Sequence, residues 1–227
     1  MKVMSLWLAA VMMAWAQDPV ASEEEEATAP SSVYTYDQQA AGSFLAVVVY
    51  KDPGTFLSGK AHDHALVASS FQGRVTWDPQ DPGVCDVSLS FPVSALTVDP
   101  GKARSRVGID PDDTVGESGQ RQLTENAMGE SQLWAARFPQ ISFQSEACRA
   151  QGDRVTVDGS LTIRGAAKRV SVPMKVTASA EGFRAQGTFE LTHHDFGFSP
   201  FSALGGMIAN QERLGFVVDV VGVPGAP

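Results

Sequence analysis

With 227 residues, 43% of them hydrophobic and 19% charged, the chain is long enough for one sizeable core and too short for two ordinary domains with accessories. Its formal charge is −9, and its 17 basic residues are scattered singly rather than clustered. That balance argues against a nucleic-acid partner, because a polyanion is met by grouped Lys and Arg.

The chain opens with Lys2, an almost wholly apolar run from Val3 to Trp15, and the small-x-small pattern Ala14-Trp15-Ala16. This predicts a signal peptide over residues 1–16, cleaved after Ala16. The run is shorter than the roughly 20 residues a membrane-spanning helix needs, and no other stretch could span a bilayer, so no transmembrane segment is expected. The mature protein is then periplasmic or secreted. Residues 17–32, with the acidic run Glu23 to Glu26 among Ala, Ser, Thr and Pro, read as a solvated, flexible leader. A single domain is expected over 33–224.

Within that domain the first strand is read as Val33 to Asp37 with Ser43 to Tyr50. The segment FLAVVVY is apolar on both faces, so its outer side needs a cover. Two occupants fit, an insertion of the same chain or a second copy in a homodimer. From Asp63 to Asp78, Ala65, Val67, Phe71, Gly73, Val75 and Trp77 share one parity and are predicted to point inward. Cys85, Val87, Leu89 and Phe91 form the next strand, which Pro92 ends.

No strand pattern appears between Pro92 and Pro139. A helix is predicted over Glu117 to Met128, where Leu123 and Ala127 stand four apart, with a further helical turn over Ser131 to Ala136. A connection this long inside a compact domain covers something or does something, so it is expected to cap a barrel end or the apolar outer face. Strands resume at Ile141, Phe143 and Ser145, and the hairpin from Asp153 to Val176 follows, turning at Gly165. Phe183 to Leu191 and Leu214 to Val221 complete the series. Half-dry strands in such number, with few helices, predict an all-β fold, a closed antiparallel barrel of about eight strands with one helical insertion.

The inward set of the second half, Val155, Val157, Gly159, Leu161, Ile163, Val172, Met174, Phe189, Leu191 and Phe216, mixes small and large residues without a charge. Such residues either pack on each other or line an apolar lumen, where a hydrocarbon would gain about 25 cal/mol per Å² buried. The four histidines fall in two pairs, His62/His64 and His193/His194, with Asp63 and Asp195 beside them. Three readings stay open for them. They could hold zinc or copper, as in a periplasmic metal-binding protein; His62, His64, His193 and Asp195 could form a polar mouth meeting a ligand's headgroup; or they could simply hydrogen-bond. No nucleophile elbow, no Cys with an evident base and no H-E-x-x-H is present, so neither an enzyme nor a cofactor is expected.

Cys85 and Cys148 are the only cysteines, and in an exported chain a disulfide is the default. Cys85 opens the strand before the insertion and Cys148 closes the strand after it, which predicts a clasp across the insertion's base. Cys148 is out of phase with Ile141 and Phe143, so the bond needs a bulge or fraying of the strand end near Ala147.

Four stretches, in order, resemble the YceI-like family of exported, lipocalin-like proteins that bind polyisoprenoid lipids. They are HDHALVASSFQGRVTWDP, LTENAMGESQLWAARFPQISFQS, VDGSLTIRGAAKRVSVPMKV and HHDFGFSPFSALGGMIANQERLGFVVDV, and together they cover most of Tyr34 to Val223. His-Asp-His at 62 to 64 resembles one subgroup. The resemblance implies an eight-stranded lipocalin-like barrel whose lumen holds an isoprenoid or similar long-chain lipid, so that the apolar inward set faces a ligand.

Overall fold

In the computed structural model, residues 32–224 are described apart from 38–41, 79–80, 82, 153 and 180–181. The expected signal peptide, and the leader up to residue 31, lie outside the described residues. The elements are β1 (Ser32–Asp37), β2 (Phe44–Lys51), β3 (His64–Ala68), β4 (Gln72–Trp77), β5 (Cys85–Pro92), β6 (Leu96–Val98), α1 (Ala103–Val107), α2 (Glu117–Met128), β7 (Gln140–Gln151), β8 (Arg154–Ile163), β9 (Ala166–Ser179), β10 (Gly182–Thr192), β11 (Ser202–Ala203) and β12 (Ile208–Pro224).

These make a closed antiparallel barrel of eight staves, three of them broken in two. β12 pairs along its length with both pieces of the first stave, Phe44 to Lys51 on Asp219 to Asn210 and Tyr34 to Tyr36 on Pro224 to Gly222. β4 and β3 follow on β1 and β2, and β5 and β6 follow on β4 and β3. β7, β8, β9 and β10 then continue unbroken back to β12. The breaks have local causes. Gly42 sits at φ 93 before β2, a bend at Ser69-Ser70 parts β3 from β4, and Pro92 leads into a 3₁₀ turn at Val93–Ala95.

The bend at Ser69-Ser70 corrects one expectation. Phe71, Val75 and Trp77 are buried inward as their parity requires, but Ala65 and Val67 are not on the same side. They join Phe44, Ala46 and Ala103 in a second, outer core with Val107, Ile109 and Val217 packed against it. The inner face of β3 is instead His64, Leu66 and Ala68. The cover required by β2 is therefore α1, whose Arg106 guanidinium also lies 4.2 Å from the centre of the Phe44 ring. Neither α1 nor β6 shows in the sequence pattern, because five and three residues are too short to display a period. α2 occupies the predicted range, whereas Ser131 to Ala136 forms turns, with Trp134 at φ 47.

Cys85 and Cys148 form a disulfide, with Cα atoms 5.9 Å apart. The register of β7 on β8 shifts by one residue between Ser145 and Ala147, and this bulge turns Cys148 back to the inner face opposite Val157. The bond does not clasp the insertion's base. The insertion leaves from β6 and returns at Gln140, whereas Cys85 starts β5 and Cys148 lies well along β7, at the other end of the barrel. There Trp77 and Tyr34 pack on Phe183, with centroids 6.3 and 5.3 Å away, and all three are buried.

Candidate functional site

The barrel encloses a cavity of about 530 Å³, within the range of ordinary ligand sites. Its wall is apolar for most of its length. Val155, Val157, Leu161, Ile163, Val172, Met174, Phe189 and Phe216 all line it. Gly159 and Leu191 do not. The inward side of Gly159 is occupied by the Phe143 ring, to which a Cβ there would come within 2.6 Å. Leu191 packs against the hydrophobic core beside the cavity. A similar exchange of size occurs at Gly187, over which the sulfur of Met174 lies.

The polar lining residues, Lys60, His62, His64, Gln122, Asn126, Gln132, His193 and Asn210, belong to the end where β2, β8 and β10 finish. This is the mouth. His64 begins β3, and its Nδ1 is 2.8 Å from Oδ2 of Asp99, whose side chain is wholly buried. Oδ1 of Asp99 accepts the N–H of Ala65 at 2.8 Å, and Nη1 of Arg104 is 3.1 Å from Oδ2. Burial pushes the Asp99 carboxyl up, but the His64 and Ala65 hydrogen bonds and the charges of His64 and Arg104 outweigh it and hold it below the usual carboxylate range. The ionised Asp99 therefore keeps the ring proton of His64 on Nδ1. Arg104 also donates to the carbonyls of Asp63 and Asp110.

His62 repeats the arrangement nearer the surface. Its Nδ1 is 2.6 Å from Asp113, whose other oxygen lies 3.4 Å from Lys51 Nζ. The His62 and His64 rings are 6.1 Å apart. Burial raises the Asp113 carboxyl, and again its partners, His62 and Lys51, more than reverse the effect. His193 approaches from the far side of the mouth, only 2% exposed, with Nδ1 2.8 Å from the carbonyl of Glu212. Burial depresses its pKa below the ordinary imidazole value, although the Glu212 carbonyl and carboxylate oppose the shift.

Of the four residues expected at a polar mouth, His62, His64 and His193 line one cavity and Asp195 does not. The 3₁₀ turn His194–Phe196 swings its first residues outward. Asp195 there accepts the N–H and hydroxyl of Thr192 at 2.8 and 2.9 Å and pairs with Lys168 at 2.6 Å, and Lys168 is the main cause of its lowered pKa. His194 faces solvent, paired with Glu212 at 2.8 Å. The two members of the second histidine pair thus diverge. Among the described residues no three His, Cys, Asp or Glu side chains stand close enough to hold a metal ion, and no helix is long and apolar enough to cross a membrane.

The model of the YceI-like domain matches residues 53–220. The chain belongs to the YceI-like family. Its curated relatives include UPF0312 proteins of Yersinia pestis (strain Pestoides F) and Yersinia pseudotuberculosis serotype O:3 (strain YPIII), each 25% identical over 175 residues, 72% of this chain and 77% of the relative. Among solved structures, BcnA of Burkholderia cenocepacia aligns at a TM-score of 0.54 with 17% identity, covering 78% of this chain and 95% of its own. The Campylobacter jejuni YCEI protein aligns at 0.51 with 10% identity, covering 69% and 82%. At such identities the structures share a fold.

In this YceI-like barrel the insertion supplies residues that strand parity could not reveal. Gly119, Gln122, Leu123, Asn126 and Ala127 of α2 face the cavity, at the spacing of one helical face. The spacing was legible in the sequence. Its content was not, since a stripe containing Gly, Gln and Asn does not announce an apolar surface. α2 and Leu133 thus close part of the mouth over the histidines, and α1 closes the outer wall.

Proposed function

We propose that this YceI-like protein is an exported binding protein that holds an isoprenoid or similar long-chain lipid in its barrel, with the lipid's polar end at His62, His64 and His193. The observation that carries this reading is the cavity itself, apolar along its wall and polar at one end only. A hydrocarbon gains about 25 cal/mol for each Å² it removes from water there, while a polar group on the same molecule keeps hydrogen-bonding partners at the mouth. Export to the periplasm or beyond is supported by the first 16 residues and by the paired cysteines. The protein holds its ligand rather than transforming it.

The test is organic extraction of protein purified without detergent from its native host, followed by mass spectrometry. One class of long-chain lipid, near one per chain, is expected. Leu161→Trp adds bulk to the cavity wall at about 1–3 kcal/mol in stability, so the variant should fold and purify empty. Lipid retained at the wild-type level by that variant, or absent from repeated wild-type extractions, would overturn the reading.

A further inference from the structure

We propose, resting on the lipid-binding reading, that the mouth selects a lipid ending in a neutral hydrogen-bond donor, a free hydroxyl, which His193 accepts through Nε2. The partner of His193 Nδ1 is a backbone carbonyl, the Glu212 oxygen at 2.8 Å. A carbonyl can only accept, so the ring proton lies on Nδ1, and in the neutral ring Nε2 is a bare lone pair. Burial favours the neutral ring at His193.

That lone pair is available. Nε2 of His193 has no hydrogen-bond partner among the described residues, yet it is not sealed off, since the described buried side-chain atom without a partner is Nη2 of Arg104. The ring lines the cavity, so its open acceptor faces the space a ligand would fill. His64 and His62 present themselves in the same way, with Nδ1 taken by Asp99 and Asp113 and Nε2 left over. A hydroxyl fits this mouth because its one proton can go to His193 while its oxygen accepts from a donor that also lines the cavity, such as Lys60 or the Asn126 amide.

The other common endings match poorly. A quinone, ester or ether oxygen can only accept, so even with Lys60 or the Asn126 amide donating to it, it has no proton for His193, whose Nε2 would be covered without a partner. A phosphate or carboxylate would need free cations. Lys60 is the sole Lys or Arg among the described lining residues, while Arg104 is committed to Asp99, Asp63 and Asp110, and Lys51 to Asp113. The carboxylates of Asp99 and Asp113, directly behind two of the rings, would repel an anion.

The experiment uses three probes with one chain: geranylgeraniol, its methyl ether and its monophosphate, titrated into delipidated full-length protein. The alcohol is expected to bind about tenfold or more tighter than either of the others. In His193→Phe, alcohol and ether should bind within about twofold of each other. Nitrogen-15 histidine spectra of the wild type give a readout independent of that variant's folding, because the bare Nε2 resonance of His193 should move on adding alcohol and not on adding ether. An ether binding as tightly as the alcohol, or a phosphate binding tightest, would overturn the hydroxyl proposal and leave the lipid-binding reading standing. Failure of all three to bind would overturn both.

Discussion

The two ends of this barrel are closed by different forces. At the floor, Trp77, Phe183 and Tyr34 pack ring on ring, and the Cys85–Cys148 bond ties β5 to β7 beside them. At the mouth, Asp99 and Arg104 carry the load as buried charges, and His62 and Asp113 sit in a half-exposed pair. Apolar burial and a covalent bond tolerate changes of acidity and salt, whereas charge networks depend on both. The difference teaches that one end is shut permanently and the other is held by contacts that solution conditions can loosen.

The largest expected effect separates the ends by covalent chemistry. Replacing both cysteines by serine removes a crosslink spanning 63 residues of sequence and should cost about 4 kcal/mol, read as a fall in the urea midpoint. Hydrogen exchange should rise in β5 and β7 near the floor and hardly at all around α2. A loss under about 1 kcal/mol would mean that the rings alone close the floor. Next comes the mouth. Asp99→Asn leaves Arg104 buried without a carboxylate and should cost about 3 kcal/mol, with exchange rising first in β3 and α1. Stability equal to the wild type would show that the Arg104 hydrogen bonds to backbone carbonyls are sufficient.

The smallest effect concerns acidity. The folded pKa of His193 lies below its unfolded value, so the unfolded chain binds the extra proton, and stability falls as pH drops below about 6.5. The lowered carboxyls of Asp99, Asp113 and Asp195 contribute stability that is present above about pH 4 and lost as pH falls through their folded values. Melting temperature against pH should therefore decline in two stages, the first with exchange rising at the mouth and the second reaching also Asp219 of β12, whose carboxyl is raised by burial but lowered further by Arg184 and Arg106. A flat profile from pH 7 to 5 would remove His193 from the account.

Much of the second half of the barrel was legible because β8 is wet on one side and dry on the other, and its burial alternates residue by residue. The first half resisted for physical reasons. β2 and β3 are dry on both faces, so parity carries little information there, and the bend at Ser69-Ser70 inverts the phase without a Gly or Pro to announce it. The displaced residue in β7 is equally silent, and only the requirement that two cysteines meet pointed toward Ala147. For the site, the histidines were visible as pairs, but a single 3₁₀ turn decided that His193 would face in while His194 and Asp195 face out.

The lodging of Phe143 over Gly159 also governs how such a barrel can change over generations. Any side chain at residue 159 collides with the aromatic ring while that ring is present, so the order of mutation matters. Shrinking residue 143 comes first, at the cost of a void, but it does not suffice, because the Gln144 carbonyl oxygen would also collide with a Cβ at 159 and β7 must shift its backbone as well. Descendants of this chain would then reshape the interior at this point only when a substitution at 143 coincides with a shift of the neighbouring stave, which holds residue 159 to glycine more firmly than the ring alone would.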